Sequence, residues 1–82
     1  MAESFHWRMQ LNNYLQSNGG VHLLTWEVYQ VGPLHAPSWT AMAYIRGVEY
    51  GRCTGYSQGA VKEEAARQTL VALFADRGIV YA

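Results

Sequence analysis

The stretch from Gly51 to Ala66, GRCTGYSQGAVKEEAA, contains the end of a strand, a turn and the start of a helix. Ser57 is typical of a residue that begins a helix, because its hydroxyl accepts a hydrogen bond from a free backbone N–H of the first turn. Beyond Ser57 the apolar positions recur at spacings of three and four, which is the period of a helix with one buried face. They are Val61, Ala65, Thr69, Leu70 and Leu73. We predict a helix from Ser57 to about Arg77, ended by Gly78, with Ala66 allowing close packing.

Three strand-like runs precede this helix. Leu24–Val31 and Trp39–Ile45 are rich in β-branched and aromatic residues, and a third run begins near Tyr50 and ends at Gly55. The connections are short, which predicts an antiparallel meander. Alternation predicts one face that the helices cover, comprising Trp26, Val28, Trp39, Ala41, Ala43 and Ile45. The opposite face would carry Tyr29, Met42, Tyr44 and Arg52 on an open sheet.

A first helix is predicted from Phe5 to Ser17. Trp7, Leu11, Tyr14 and Leu15 recur at helical spacing, Ser4 is a candidate N-terminal cap, and the glycines after Asn18 end the segment. The order of elements is therefore α-β-β-β-α. We expect an α+β fold in which both helices pack on one face of a three-stranded antiparallel sheet.

Length and composition limit the classes of protein. The chain has 82 residues, of which 50% are hydrophobic, so we expect a single domain with its core at about residues 5–78. A single cysteine, the lack of a secretory signal and the lack of a spanning segment favour the cytoplasm or nucleus over secretion or a membrane. Six basic residues balance six acidic ones. That neutrality, taken alone, argues against a nucleic-acid partner.

Four fragments in order resemble the double-stranded RNA-binding domain. They are Leu11-Asn12-Asn13 in the first helix, Gly32-Pro33-Leu34-His35 between the first two strands, Gly51 to Ser57, and Lys62 followed by Ala65-Ala66. The family has Leu-Asn-Glu, Gly-Pro-x-His and Gly-x-Gly-x-Ser-Lys-Lys at these places. The resemblance extends from about Met9 to Leu73. Each fragment is weak alone, but their order and spacing on the predicted elements form a strong signal for the fold.

The resemblance implies recognition of RNA duplexes by shape. A-form RNA displays its 2′-hydroxyls in a shallow minor groove, and such a domain contacts two successive minor grooves and the intervening phosphates over roughly 16 base pairs. The first helix would contact one minor groove and the loop after the first strand would contact the next. The start of the second helix would contact phosphates. The residues implied are Gln10, Asn13, Pro33, His35, Ser57, Gln58, Gly59 and Lys62.

Each of these positions also has a structural interpretation. Asn13 fits a solvated helix face, His35 could hydrogen-bond within its own loop, and Lys62 could be an ordinary solvated charge. The family's lysine pair after the capping serine is replaced here by Gln58-Gly59, and two glutamates follow Lys62. Loss of two cations beside a polyanion should weaken binding, because the release of counterions drives much of it.

The alternative is a domain of this fold that binds protein, or a second copy of itself, with little affinity for RNA. The neutral charge and the loss of the lysine pair favour it. The predicted open face, with Tyr29, Met42, Tyr44 and Arg52, or a neighbouring strand edge would then form the interface.

The sequence gives no support to an enzyme or to a site for a metal or cofactor. Cys53 lies in the third strand, on the face predicted to turn inward, where a small buried side chain is the expected role. The histidines at 6, 22 and 35 fall in separate segments, and no motif pairs any of them with Asp76, the only aspartate. The predicted partners are double-stranded RNA and, in the alternative, protein.

Overall fold

Two helices flank a three-stranded antiparallel sheet in the computed structural model, which describes residues 6–17, 20 and 23–76. The elements are α1 (Trp7–Ser17), β1 (Leu24–Val31), β2 (Ser38–Ile45), β3 (Val48–Gly55) and α2 (Gln58–Asp76). The predicted α-β-β-β-α order is confirmed. The predicted roles of Ser4, Gly19 and Gly78 at helix ends lie outside the described residues, as do the predicted helix ends Phe5 and Arg77.

The sheet has the order β1-β2-β3, with β2 in the centre, and its register fixes the two faces. Trp26 pairs with Ala43 and Val28 with Ala41, so these four side chains share a face. On that face Ala41 packs with Val61 and Ala65 of α2, while Ile45 packs with Leu11 and Leu15 of α1 and with Leu70. Both helices therefore cover the same face, as the alternation of the strands predicted.

At Gly51 the backbone of β3 lies close against α2. A Cβ atom on Gly51 would collide with the carbonyl of Ala65 and would lie 2.6 Å from Thr69 Oγ1. The Thr69 hydroxyl donates a 2.8 Å hydrogen bond to that same Ala65 carbonyl, so neither group is free to move aside. A glycine is required here because α2 rests directly on the backbone of the strand.

A β-bulge at Tyr50 changes which side chains of β3 lie on the face of the sheet away from the helices. The pairing shifts between Ala43 and Tyr44, so that Tyr44 is opposite Glu49 while Ala43 is opposite Gly51. The extra residue places Glu49 and Arg52 on one face, although residues three apart in a regular strand point to opposite faces. Arg52 donates two hydrogen bonds to the Glu49 carboxylate, at 2.9 and 3.0 Å.

The prediction that Met42 lies exposed on the open face is wrong. Met42 does point away from the helices, but only 4% of it is exposed. Its register partners are Glu27 and Arg52, and the Tyr44 hydroxyl lies 3.5 Å from its sulfur. Long side chains of its own face therefore cover Met42. Tyr29 remains 45% exposed and Tyr44 is half-buried.

No helix in the described part of the chain is long and apolar enough to cross a membrane.

Candidate nucleic-acid interface

The chain path brings two of the three predicted contact regions to one end of the sheet. β1 ends at Val31, which pairs with Ser38 at the start of β2, and β3 ends at Gly55, which pairs with Trp39. The β1–β2 loop and the start of α2 therefore lie at the same end of the sheet. Because neighbouring strands lie about 4.8 Å apart, β1 and β3 are separated by about 10 Å at this end.

The β1–β2 loop presents His35 at the tip of a turn. Gly32 adopts a φ of +89°, and the Ala36 N–H donates a 3.0 Å hydrogen bond to the Pro33 carbonyl. The bond closes a four-residue turn with Leu34 and His35 at its two central positions. Both residues are exposed. No side-chain hydrogen bond holds His35 to its own loop among the described residues, so the imidazole is available to a ligand.

Ser57 caps α2, as predicted. Its Oγ accepts a 3.3 Å hydrogen bond from the Ala60 N–H, and its carbonyl accepts one from Val61 at 3.0 Å. The N–H groups of Gln58 and Gly59 then remain at the positive end of the helix dipole, and both residues are exposed. Such an end favours an anionic group such as a phosphate.

Lys62 lies one turn into α2 and is half-buried. Among the described residues it takes part in no hydrogen bond or salt bridge. Its ammonium group is therefore available to a phosphate at this end of α2. The three residues predicted to contact phosphate on α2, Gln58, Gly59 and Lys62, therefore lie together at its start, with a single cation among them.

Glu63 joins the start of α1 to α2. Its Oε1 accepts a 2.6 Å hydrogen bond from the backbone N–H of Trp7, and its Oε2 accepts one of 2.6 Å from Arg8 Nε. Farther along, the rings of Tyr14 and Phe74 meet edge to face at 5.0 Å. The two helices thus run side by side in the same direction, so α1 also begins toward the end that carries the β1–β2 loop. Of the two residues predicted on α1, Asn13 is exposed and Gln10 is half-buried.

The two glutamates after Lys62 do not leave unpaired negative charge beside it, because each is paired with an arginine. Glu63 is paired with Arg8, and Glu64 accepts hydrogen bonds of 2.9 and 2.6 Å from Arg67. Arg67 and Arg52 are therefore held by carboxylates on their own elements. Of the basic residues in the described ranges, only Arg46 and Lys62 make no salt bridge, and Arg46 lies in the β2–β3 turn at the opposite end of the sheet.

Removal of the Glu63 charge is expected to loosen α1. Burial alone would raise the pKa of Glu63, but the hydrogen bonds from Arg8 and the Trp7 N–H outweigh it, and the pKa lies below the ordinary value of 4.5. The stabilisation is then fully present above the pKa of the unfolded chain and is lost as the pH falls through the lower pKa of the folded chain. We expect Glu63→Gln to lower the free energy of unfolding by about 1 kcal/mol at neutral pH.

Urea unfolding of the parent chain and of Glu63→Gln, followed from neutral pH to about pH 3, measures this difference. The free energies of unfolding of the parent and the variant should converge in acid, where Glu63 is protonated in both the folded and the unfolded chain. A difference that stays constant with pH would contradict the role given to the carboxylate.

The open face of the sheet carries a lattice of polar contacts. The Tyr44 hydroxyl donates a 3.2 Å hydrogen bond to Glu27, and the hydroxyls of Thr40 and Thr54 lie 3.0 Å apart. Partial burial and the neighbouring Glu27 carboxylate raise the pKa of Tyr44. The face is therefore rich in hydroxyl groups rather than apolar, and its hydroxyls form hydrogen bonds with neighbours on the same face.

Cys53 packs with Val61 and Ala65 on the helix-covered face, as predicted, and is half-buried. Burial and the nearby Glu64 raise the pKa of its thiol, which keeps it protonated and unreactive. Within residues 6–17, 20 and 23–76, no group of three His, Cys, Asp or Glu side chains is placed to hold a metal ion.

Two exposed side chains beside the predicted contacts were not expected from the sequence. Leu34, 90% exposed, occupies the other central position of the His35 turn. Tyr56, 87% exposed, immediately precedes the capping serine. Tyr56 could have been found from its place between Gly55 and Ser57, since a large aromatic residue between a strand end and a helix cap has no core to enter.

Comparisons with known proteins give the fold. No protein-family model and no curated protein matches the chain. Among solved structures, the first double-stranded RNA-binding domain of HYL1 is 23% identical with a TM-score of 0.71, covering 82% of this chain and 94% of that one. A structure of Arabidopsis HYL1, described for its implications for miRNA processing, gives 24% and 0.71 at the same coverage. The second such domain of DRB4 gives 21% and 0.58, covering 87% of this chain and 94% of that one.

Proposed function

We propose that this chain, which has the fold of a double-stranded RNA-binding domain, binds RNA duplexes by their shape. The observation that carries the proposal is the placement of the His35 turn and the capped start of α2 at one end of the sheet, with α1 fixed beside them by Glu63. These are three polar surfaces on elements whose relative positions are set by the core.

The proposed contacts follow from the groups that each element presents. Asn13 on α1, with Gln10 one turn earlier, would hydrogen-bond ribose hydroxyls in one minor groove, because an amide can both donate and accept. His35, held by the Pro33 turn, would enter the next minor groove. The N–H groups of Gln58 and Gly59 behind the Ser57 cap, together with Lys62, would contact the phosphates between the grooves.

Binding is expected to be weak, with only a shallow dependence on salt. Lys62 is the single cation without a salt-bridge partner near the start of α2 in the described chain, so few counterions are released on binding. The pairing of Glu63 and Glu64 with arginines limits their repulsion of RNA but supplies no attraction. The proposed setting is the cytoplasm or nucleus.

Fluorescence anisotropy with a labelled RNA duplex of about 20 base pairs tests the proposal, because that length exceeds the roughly 16 base pairs that such a domain spans. At low salt we expect saturable binding to the RNA duplex and much weaker binding to a DNA duplex of the same sequence, which lacks the 2′-hydroxyls. An equal affinity for both duplexes, or no binding to RNA at low salt, would contradict recognition by shape.

Lys62 offers a matched pair of charge variants. Lys62→Gln should reduce RNA affinity about 5- to 10-fold at about 0.1 M salt and flatten the plot of log K against log salt by about one unit. Arg46→Gln removes the same charge from the far end of β2, about 25 Å away, and should change neither quantity appreciably. If the two variants weaken binding equally, the contact at Lys62 does not exist and only net charge matters.

The second candidate function is binding of protein, or of a second copy, through the open sheet face. The exposure of Tyr29 and the half-exposed Tyr44 ring favour it, whereas the burial of Met42 and the pairing of Arg52 with Glu49 reduce the surface on offer. Sedimentation velocity of the parent and of Tyr44→Gln is the test. Self-association that Tyr44→Gln abolishes would support this face, and association that is unaffected by that change would exclude it.

A further inference from the structure

We propose that the free edge of β1 is a self-association site, at which β1 of one copy pairs antiparallel with β1 of a second copy. The two three-stranded sheets would then form one six-stranded sheet about a two-fold axis at Val28. This site is the edge of the sheet rather than its open face, although Tyr29, which adjoins the edge, belongs to that face, and it lies away from the proposed phosphate contact at the start of α2.

The direction of the backbone groups of β1 follows from one hydrogen bond. The Leu23 carbonyl accepts a 3.2 Å hydrogen bond from the Arg46 N–H at the end of β2. Leu23 therefore faces β2, and alternation along an antiparallel strand makes residues 25, 27, 29 and 31 face β2 as well. The N–H and C=O groups of Leu24, Trp26, Val28 and Gln30 then point away from the sheet, and no described residue bonds to them.

The other edge of the sheet is partly closed. On β3 the Arg52 N–H donates a 3.0 Å hydrogen bond to Oε1 of Gln68, and the Gln68 amide nitrogen is held by Glu64 at 3.2 Å. A side chain of α2 thus occupies part of the β3 edge and obstructs an added strand. β1 has no such cover, and it lacks the lysines, prolines and bulges with which proteins protect a free edge.

The sequence of β1 favours one register. With Val28 opposite its own copy on the axis, Trp26 lies opposite Gln30 of the second copy and Glu27 lies opposite its Tyr29. Three of the four outward-facing residues of each copy, Trp26, Val28 and Gln30, then exchange about six hydrogen bonds. Moving the axis to Glu27 would place two carboxylates directly opposite each other, which is unfavourable.

The side chains on the covered face also gain from the pairing. Trp26 and Val28 are packed against the Ala41, Val61 and Ala65 cluster but remain half-exposed, because they belong to the edge strand. A second β1 alongside would place Val28 against Val28 and would cover part of each Trp26 ring. The start of α2 follows β3, on the other side of the sheet, so the pairing leaves it uncovered in both copies.

Opposite charges at position 29 test the register. Tyr29→Glu would face Glu27 of the second copy, and Tyr29→Lys would face the same carboxylate with a positive charge. Both variants lose the same exposed ring, so their difference isolates the charge. We expect sedimentation equilibrium up to about 1 mM to give a dimer constant about 3- to 10-fold weaker for the glutamate and correspondingly tighter for the lysine. A strict monomer at that concentration, or the same constant for both variants, would overturn the proposal.

Crosslinking gives an independent measurement of the axis. In a Cys53→Ala background, Val28→Cys should form a disulfide-linked dimer under mild oxidation, since directly opposite residues of this kind lie about 5.5 Å apart. Thr25→Cys is the control: it would face Val31 of the second copy and should not crosslink to itself. Crosslinking of Thr25→Cys but not Val28→Cys would contradict the register. Dimers broken only by Tyr44→Gln would instead assign association to the open sheet face.

Discussion

Gly51→Ala is expected to destabilise the chain by about 3 kcal/mol, the upper part of the usual range for overpacking a core. The added methyl group collides with the Ala65 carbonyl oxygen and with Thr69 Oγ1, and these two atoms are hydrogen-bonded to each other. Neither is the end of a flexible side chain, so α2 must move off β3 or the strand must bend. For a domain of this size the melting temperature should fall by roughly 15 °C.

Gly59→Ala is the matched control for this prediction. Gly59 lies in the first turn of α2, where the nearest atom to an added Cβ is Ser57 Oγ at 4.0 Å, in ordinary contact. Alanine at a helical position should stabilise the chain by about 0.5–1 kcal/mol. Thermal and urea unfolding of both variants would separate the two effects. A loss of similar size in both variants would show that the close approach at Gly51 is not what makes glycine necessary there.

The order of elements and the covered face of the sheet could be predicted because both depend on local periodicity. Alternation along β1 and β2 assigns Trp26 and Ala41 to the helix side, and the helical spacing from Val61 onward assigns the face of α2 that meets them. Each assignment needs only the chain geometry within one element. The capping role of Ser57 could be predicted for the same reason.

The burial of Met42 could not be predicted, because it depends on side chains from two other strands as well as its own. Alternation gives its face correctly, but the side chains that cover it come from Glu27 on β1, Arg52 on β3 and Tyr44 on its own strand. The bulge at Tyr50 decides that Arg52 is turned toward Glu49, and no pattern in the sequence marks that extra residue. The exposure of a side chain on a sheet face depends on the side chains of the neighbouring strands, which the local sequence pattern does not reveal.

The charges of the candidate site show the same limit. The sequence places Glu63 and Glu64 beside Lys62, which predicts a local excess of negative charge. In the structure Glu63 pairs with Arg8, 55 residues earlier in the chain. The carboxylate that was expected to repel RNA therefore holds the two helices together. Three of the six basic residues that balance the charge are arginines held by glutamates. Near the start of α2, Lys62 is the described cation without a carboxylate partner, and residues 58 and 59 carry no charge.

Lysines at positions 58 and 59 are expected to raise RNA affinity by about 10- to 100-fold at about 0.1 M salt, because each new phosphate contact adds one counterion release. Both positions are exposed, and a Cβ atom at Gly59 makes only an ordinary contact, so the double variant Gln58→Lys, Gly59→Lys should fold. The slope of log K against log salt should steepen by about two units. The gain would come from the place of the charges, beside free N–H groups and Lys62, rather than from their number.

The control for that claim adds the same charge to the other end of the same helix. Val71 and Ala75 are exposed on α2 and lie roughly 20 Å from the capped start, so Val71→Lys, Ala75→Lys gives an equal net charge away from the proposed contact. Anisotropy titrations of the parent and both double variants, with Gly59→Ala to account for helix propensity, separate placement from total charge. Equal gains from the two lysine pairs would mean that RNA is attracted by charge alone and that the start of α2 is no phosphate site. A gain confined to positions 58 and 59 would mean that the scaffold still fits an RNA duplex and has lost affinity at one contact of three.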